Sequence, residues 1–122
     1  MSIQSFQDLE VWKRAMDLAE TTYRLTKTFP REELFGMVSQ IRRASTSIPA
    51  NIAEGRGRQG TREFLQFLRI SQGSLRELET FLLLARRVGY CTELQIQPLL
   101  NETTILSKQL LALQRSLQSR SS

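Results

Sequence analysis

Apolar residues recur along the chain at alternating steps of three and four, in four consecutive segments separated by short breakers. The first segment carries Leu9, Trp12, Met16, Ala19 and Tyr23, and the second Leu34, Val38, Ile41, Ser45, Ile48 and Ile52. The third carries Phe64, Leu68, Ser71, Leu75, Leu78 and Leu82, and the fourth Leu99, Thr103, Leu106, Leu110, Leu113 and Leu117. Steps of three and four keep successive residues on one helix face. Four such segments with short connections predict a single all-α domain over 1–122, an antiparallel up-down-up-down four-helix bundle. No strand pattern competes, and there is no internal repeat.

The breakers place the helices at about 6–28, 32–55, 62–88 and 93–117. Ser5 is positioned to cap the first, Asp8 and Glu10 suit its positive end, and Phe29-Pro30 stops it. Glu32 and Glu33 fall in the first turn of the second, which carries an internal Pro49 expected to free the Ser45 carbonyl and kink it. Gly55, Gly57 and Gly60 mark the next loop. Gly89 suits a left-handed C-cap, and Thr92 through Gln95 reads as a capping box. Pro98 is expected to disturb the second turn of the fourth helix, and the polar tail from Gln118 to fray.

The first helix is apolar over too wide an arc. Beside its first stripe runs a second one, Val11, Ala15, Leu18, Thr22, Leu25 and Phe29. Together they span roughly 180°, where a bundle helix needs roughly 100°. Two readings follow: a helix wedged between two neighbours of its own chain, or a homo-oligomer interface through Val11, Ala15, Leu18, Leu25 and Phe29, since monomers rarely expose such patches.

Charge changes the picture through its placement. Residues 40–90 hold nine arginines against four acids, so the whole net charge of +5 lies there and the remainder balances. The candidate nucleic-acid-binding residues are Arg42, Arg43, Arg56, Arg58, Arg62, Arg69, Arg76 and Arg87, because the planar guanidinium grips two phosphate oxygens at once. Arg62, Arg69 and Arg76 are seven apart, and Arg87 falls within about 20° of them on a helical wheel. Such a stripe tracks phosphates, or else is a solvated face paired with acids of another helix or protomer. No aromatic interleaves it, so base stacking is not indicated. On the second helix Gln40, Arg43, Ser47, Asn51 and Glu54 share a polar face, a site or a seam between protomers or plain solvent exposure.

Candidate chemistry is sparse. The run Gly55-Arg56-Gly57-Arg58-Gln59-Gly60 matches a dinucleotide fingerprint, but a helix and not a strand precedes it. What survives is an anion site at a helix N-terminus, or a plain connector. Histidine is absent, and Cys91 has no second cysteine and no base beside it. Glu77 and Glu79 point apart at i, i+2. No catalytic residue, cofactor, metal or small-molecule substrate is therefore expected, and the chain reads as a non-enzyme. No apolar run reaches the roughly 20 residues of a membrane span, and the start of the chain lacks the pattern of a signal peptide. With the lone cysteine this predicts a cytoplasmic protein with no membrane partner.

Phe6 through Trp12, Phe29-Pro30, Gln40 through Gly55 with its Ser-Ile-Pro-Ala-Asn-Ile-Ala-Glu-Gly run, and Gly73 through Glu79 together resemble the bacterial four-helix-bundle proteins known as 23S rRNA intervening-sequence proteins. The resemblance covers nearly the whole chain. It implies a homopentamer, and distant kinship with the accessory protein of diversity-generating retroelements, which binds nucleic acid and a reverse transcriptase. Residues and resemblance together predict a self-assembling bundle that binds RNA or DNA backbone through its arginines. The alternative is a protein–protein scaffold whose arginines form salt bridges between protomers.

Overall fold

Each stretch of three-and-four spacing becomes one long helix. α1 spans Glu10–Thr26, α2 Met37–Arg56, α3 Thr61–Arg87 and α4 Glu93–Ser121. The computed structural model describes residues 6–121, the side chains of Asp8, Arg120 and Ser121 excepted, so the expected Ser5 cap and the Asp8 charge lie outside what is described. α2 packs most extensively on α3, and α1 touches both α2 and α4. Cross-helix contacts run antiparallel: Ser47 meets Ser74 while Gly55 meets Phe67, and Thr103 meets Glu79 while Gln114 meets Gln72.

The helix ends show where local chemistry decided. A single 3-10 turn, Phe6–Asp8, precedes α1 and is separated from it by Leu9 in extended backbone (φ −74°, ψ 128°), so the helix starts four residues later than expected. Glu32 and Glu33 form another 3-10 turn instead of opening α2. Gly36, at φ −109° and ψ −109°, breaks the helical path there. Glu33 then caps α2 from outside, its carboxylate accepting from the Met37 N–H (3.1 Å) and from the Tyr90 hydroxyl (2.7 Å). These two hydrogen bonds hold the Glu33 carboxyl below its ordinary range, and the Glu33 partner pushes the Tyr90 phenol up. α3 closes in a Schellman motif, with Tyr90 N–H to the Ala85 carbonyl, Gly89 N–H to the Arg86 carbonyl and Gly89 at φ +85°. The capping box at α4 forms reciprocally, Thr92 N–H to Gln95 Oε1 (2.8 Å) and Gln95 N–H to Thr92 Oγ1 (3.2 Å). α2 and α4 continue through Pro49 and Pro98. α4 also runs past its expected end at 117, because Gln114 and Leu117 are buried against the bundle and carry the helix on to Ser121.

The core is built mainly from the expected positions of α2, α3 and α4: Ile41, Ile48, Ile52, Leu68, Leu75, Leu78, Leu82, Leu106 and Leu110 are fully buried. α1 reverses the expectation. Val11, Ala15, Leu18, Leu25 and Phe29, read as an oligomer interface, are buried inside the chain's own core. Of the stripe assigned to the core, Leu9 and Ala19 are buried, while Met16 and Tyr23 are 44% and 38% exposed and Trp12 is half-buried. The reason is that α1 packs against α2 and α4 together, and the wedge between two neighbours selects the more aliphatic stripe. The buried hydroxyls of Thr22 and Thr26 bond back to the carbonyls of Leu18 and Thr22.

Candidate nucleic-acid interface

Between α3 and α4 runs a chain of polar contacts. Gln114 donates to Gln72 (3.1 Å), Gln72 to Ser107 (2.8 Å), and Arg76 to Ser107 (3.1 Å) and to Glu79 (2.7 Å), while Thr103 donates to the second Glu79 oxygen (3.0 Å). This seam fixes the register of the two helices, and it claims Arg76, one of the arginines assigned to phosphate.

Other expected contacts are also claimed. Arg42 is half-buried, donates to Thr26 Oγ1 (2.9 Å) and lies 4.6 Å over the Tyr23 ring. Arg58 pairs with Glu54 (2.7 Å) and sits over Phe67, so the glycine loop holds a neutralised arginine. Arg56 is half-buried at the end of α2. Arg43 is exposed on α2, away from the α3 stripe. In the polar row of α2, Ser47 and Asn51 join each other and Ser74, knitting α2 to α3. Arg62, Arg69 and Arg87 remain together on one exposed face of α3, with no ion pair among the described residues. Arg62 and Arg69 line one shallow groove of about 450 Å³ with Leu65, Gln66 and Gln118 of α4.

Two cations escaped the sequence reading. Lys108 and Arg115 are exposed, seven residues apart on α4, and follow Ser107 and Gln114, the residues that meet α3. Helical geometry places them near the middle of the solvent face of α4, about 100° around the helix from the residues that meet α3. The opposite side, Glu102 and Gln109, holds Arg14 of α1. The seven-residue spacing was the available signal. It was hidden because α4 is nearly neutral when counted as a segment, although Glu102 faces α1 and Glu93 stands at the far start of the helix, held by Arg86.

On the far side of the bundle an apolar groove runs between α1 and α2. Trp12, Met16, Ala19, Tyr23, Pro49, Ala50 and Ala53 line a hollow of about 380 Å³. It continues past Tyr23 and Thr46 into one of about 430 Å³ that includes Leu34, Phe35, Arg42 and Arg43. Phe35 is 93% exposed at its end.

Among the described residues no three metal-ligating side chains come together, and no helix is long and apolar enough to cross a membrane. Cys91 is buried, and burial pushes its thiol up despite the opposing charge of Arg86. Cys91→Ser is expected to leave nucleic-acid binding unchanged and to cost about 1 kcal/mol in thermal unfolding, as a modest core change does. Loss of binding by the folded variant would contradict this.

The family model described as 23S rRNA-intervening sequence protein matches residues 7–112. A crystal structure of a protein with unknown function, from the S23 ribosomal protein family of Bacteroides thetaiotaomicron, superposes with a TM-score of 0.76 at 29% identity. The match covers 84% of this chain and 96% of that one. No curated protein matches the chain.

Proposed function

We propose that this chain, which belongs to the 23S rRNA-intervening sequence protein family, is a non-enzymatic, self-assembling bundle that binds the phosphate backbone of nucleic acid in the cytoplasm. The observation that carries the reading is the exposed row Arg62, Arg69 and Arg87. Its acids on the same helix form no ion pair with it: Glu79 is taken by Arg76 and Thr103, Glu63 lies roughly 100–120° away around the helix, and Glu77 roughly 60–80° away. Unneutralised guanidinium groups on a rigid face attract phosphate.

Self-assembly is supported by the α1/α2 groove, a run of exposed apolar side chains of a kind that marks interaction surfaces. A ring of five, as the resemblance implies, needs two different patches meeting head to tail. Leu84 and Val88, exposed one turn apart near the end of α3, offer the second. Both patches lie off the arginine row, so assembly leaves the row open and repeats it, and weak contacts then add by multivalency.

Arg62→Gln/Arg69→Gln/Arg87→Gln is expected to keep the helical circular-dichroism spectrum and lower affinity for duplex DNA. The slope of log affinity against log salt should fall by about 2.7, near 0.9 for each phosphate no longer neutralised. Arg76→Gln should leave that slope nearly unaltered and act on stability, since Arg76 belongs to the α3/α4 seam. A second reading, a scaffold with no nucleic-acid partner, is favoured by the arginines already paired within the chain, Arg14, Arg24, Arg58, Arg76 and Arg86. It predicts no binding near physiological salt by the wild type, and that result would overturn the proposal.

A further inference from the structure

We infer that the binding surface is a two-helix cradle, with Arg62, Arg69 and Arg87 on α3 and Lys108 and Arg115 on α4, and that it takes a double-stranded backbone in preference to a single strand. This rests on the nucleic-acid reading above and adds residues and a ligand class to it. All five side chains are exposed and form no ion pair among the described residues.

The geometry is set by the helices. Arg62 and Arg69 are about 10 Å apart along α3, and Arg62 and Arg87 roughly 37 Å apart, from the rise per residue. The α4 row runs antiparallel beside it. From the pairing of Gln72 with Gln114 and of Arg76 with Ser107, Arg115 stands about level with Arg69, and Lys108 about level with Arg76. Packed helix axes lie about 8–10 Å apart. Long side chains splaying outward from them place the two cation rows at a separation comparable with the major groove of B-DNA, about 12 Å wide. Two parallel cation rows on a rigid support match the two phosphate walls of a duplex groove. A length of roughly 37 Å is close to one turn of duplex, taken at about 34–36 Å.

A single strand fits less well. It offers one row of phosphates, and proteins that hold it add aromatic platforms on which bases stack. The cradle has none. Its partly exposed floor residues are Leu83 and Leu111, while Trp12, Tyr23 and Phe35 line the groove on the other side of the bundle. The carboxylates that link α3 and α4 are already held, Glu79 by Arg76 and Thr103 and Glu93 by Arg86, and leave the cations uncompensated.

The test is fluorescence anisotropy with three labelled probes: a 12-base-pair DNA duplex, an RNA duplex of the same sequence, and a 12-nucleotide single strand. Each is titrated with the full chain at several salt concentrations. Both duplexes should bind at least about tenfold more tightly than the single strand, and the DNA duplex should show a slope of about −4 to −4.5 for five neutralised phosphates. Lys108→Gln/Arg115→Gln should remove about two units of slope and reduce duplex affinity roughly tenfold or more. Lys108→Arg/Arg115→Lys, which keeps both charges, should retain the slope, and circular dichroism confirms the fold of each variant. Which duplex binds better identifies RNA or DNA as the source of the backbone, and either order supports the cradle. Equal or tighter binding of the single strand, or an unchanged slope in the Gln pair, overturns the cradle and leaves the α3 reading standing. No binding to any probe overturns both.

Discussion

Alanine at Gly55 is expected to destabilise the bundle by about 2 kcal/mol, whereas alanine at Gly73 is expected to stabilise it by roughly 0.5–1 kcal/mol. Both glycines are helical, one near the end of α2 and one in the middle of α3, so intrinsic propensity favours alanine at each. Packing decides the difference. A Cβ at Gly55 would stand 2.6 Å from Phe67 Cβ and 3.1 Å from Phe64 Cδ1. Phe67 Cβ is fixed to the α3 backbone, so relief requires the two most closely packed helices to part, and overpacking of this kind costs about 1–3 kcal/mol. A Cβ at Gly73 meets nothing within 4 Å, and only the gain in helix propensity remains. Thermal unfolding of the two variants beside the wild type measures both signs. A Gly55→Ala protein as stable as the parent would mean that α2 and α3 are not held at this distance.

The contrast between these glycines is invisible in the sequence, where Gly55 reads as a loop marker and Gly73 as an interior residue of the third helix. Legibility followed how local the cause was. The α4 capping box and the Gly89 cap depend on residues three to five apart, and both formed as expected. The core leucines of α3 and α4 were equally plain, because each of those helices has one dominant apolar stripe. α1 has two, and the sequence cannot say which one its neighbours will cover. The spacing puts Met16 in the core stripe and Leu18 in the second one, but α2 and α4 close over Leu18. Along the helix Arg76 is marked out from Arg62 and Arg69 by Glu79 at i+3, which pairs with it, but its bond to Ser107, thirty-one residues away, is not legible in the sequence. The break at Gly36 hid behind Glu32 and Glu33, which suit a helix start and serve Glu33's role as an outside cap equally well.

The reversal on α1 yields the sharpest contrast for self-assembly. Leu18→Glu/Leu25→Glu is expected to unfold the chain, and Met16→Lys/Phe35→Ser to leave it folded but disperse the oligomer. Leu18 is 2% exposed and Leu25 8%, so each new carboxylate must be buried without a partner or held neutral, at a cost of several kcal/mol apiece. Two such penalties are comparable with the roughly 5–15 kcal/mol that hold a domain together. Circular dichroism should therefore show the helical signal lost at room temperature. Met16 and Phe35 stand on the other side of the helix layer, at the two ends of the α1/α2 groove. Lysine at 16 falls four residues before Glu20 and can pair with it, and serine at 35 replaces a ring that touches mostly water, so stability should move by no more than about 0.5 kcal/mol. Light scattering should give the wild type a mass several times 14.1 kDa, and the Met16→Lys/Phe35→Ser protein a lower one. If the wild type is a monomer at micromolar concentration, the groove is not a self-association surface. If the groove variant keeps the full mass, assembly uses another face, and Leu84 and Val88 on α3 are then the residues to change.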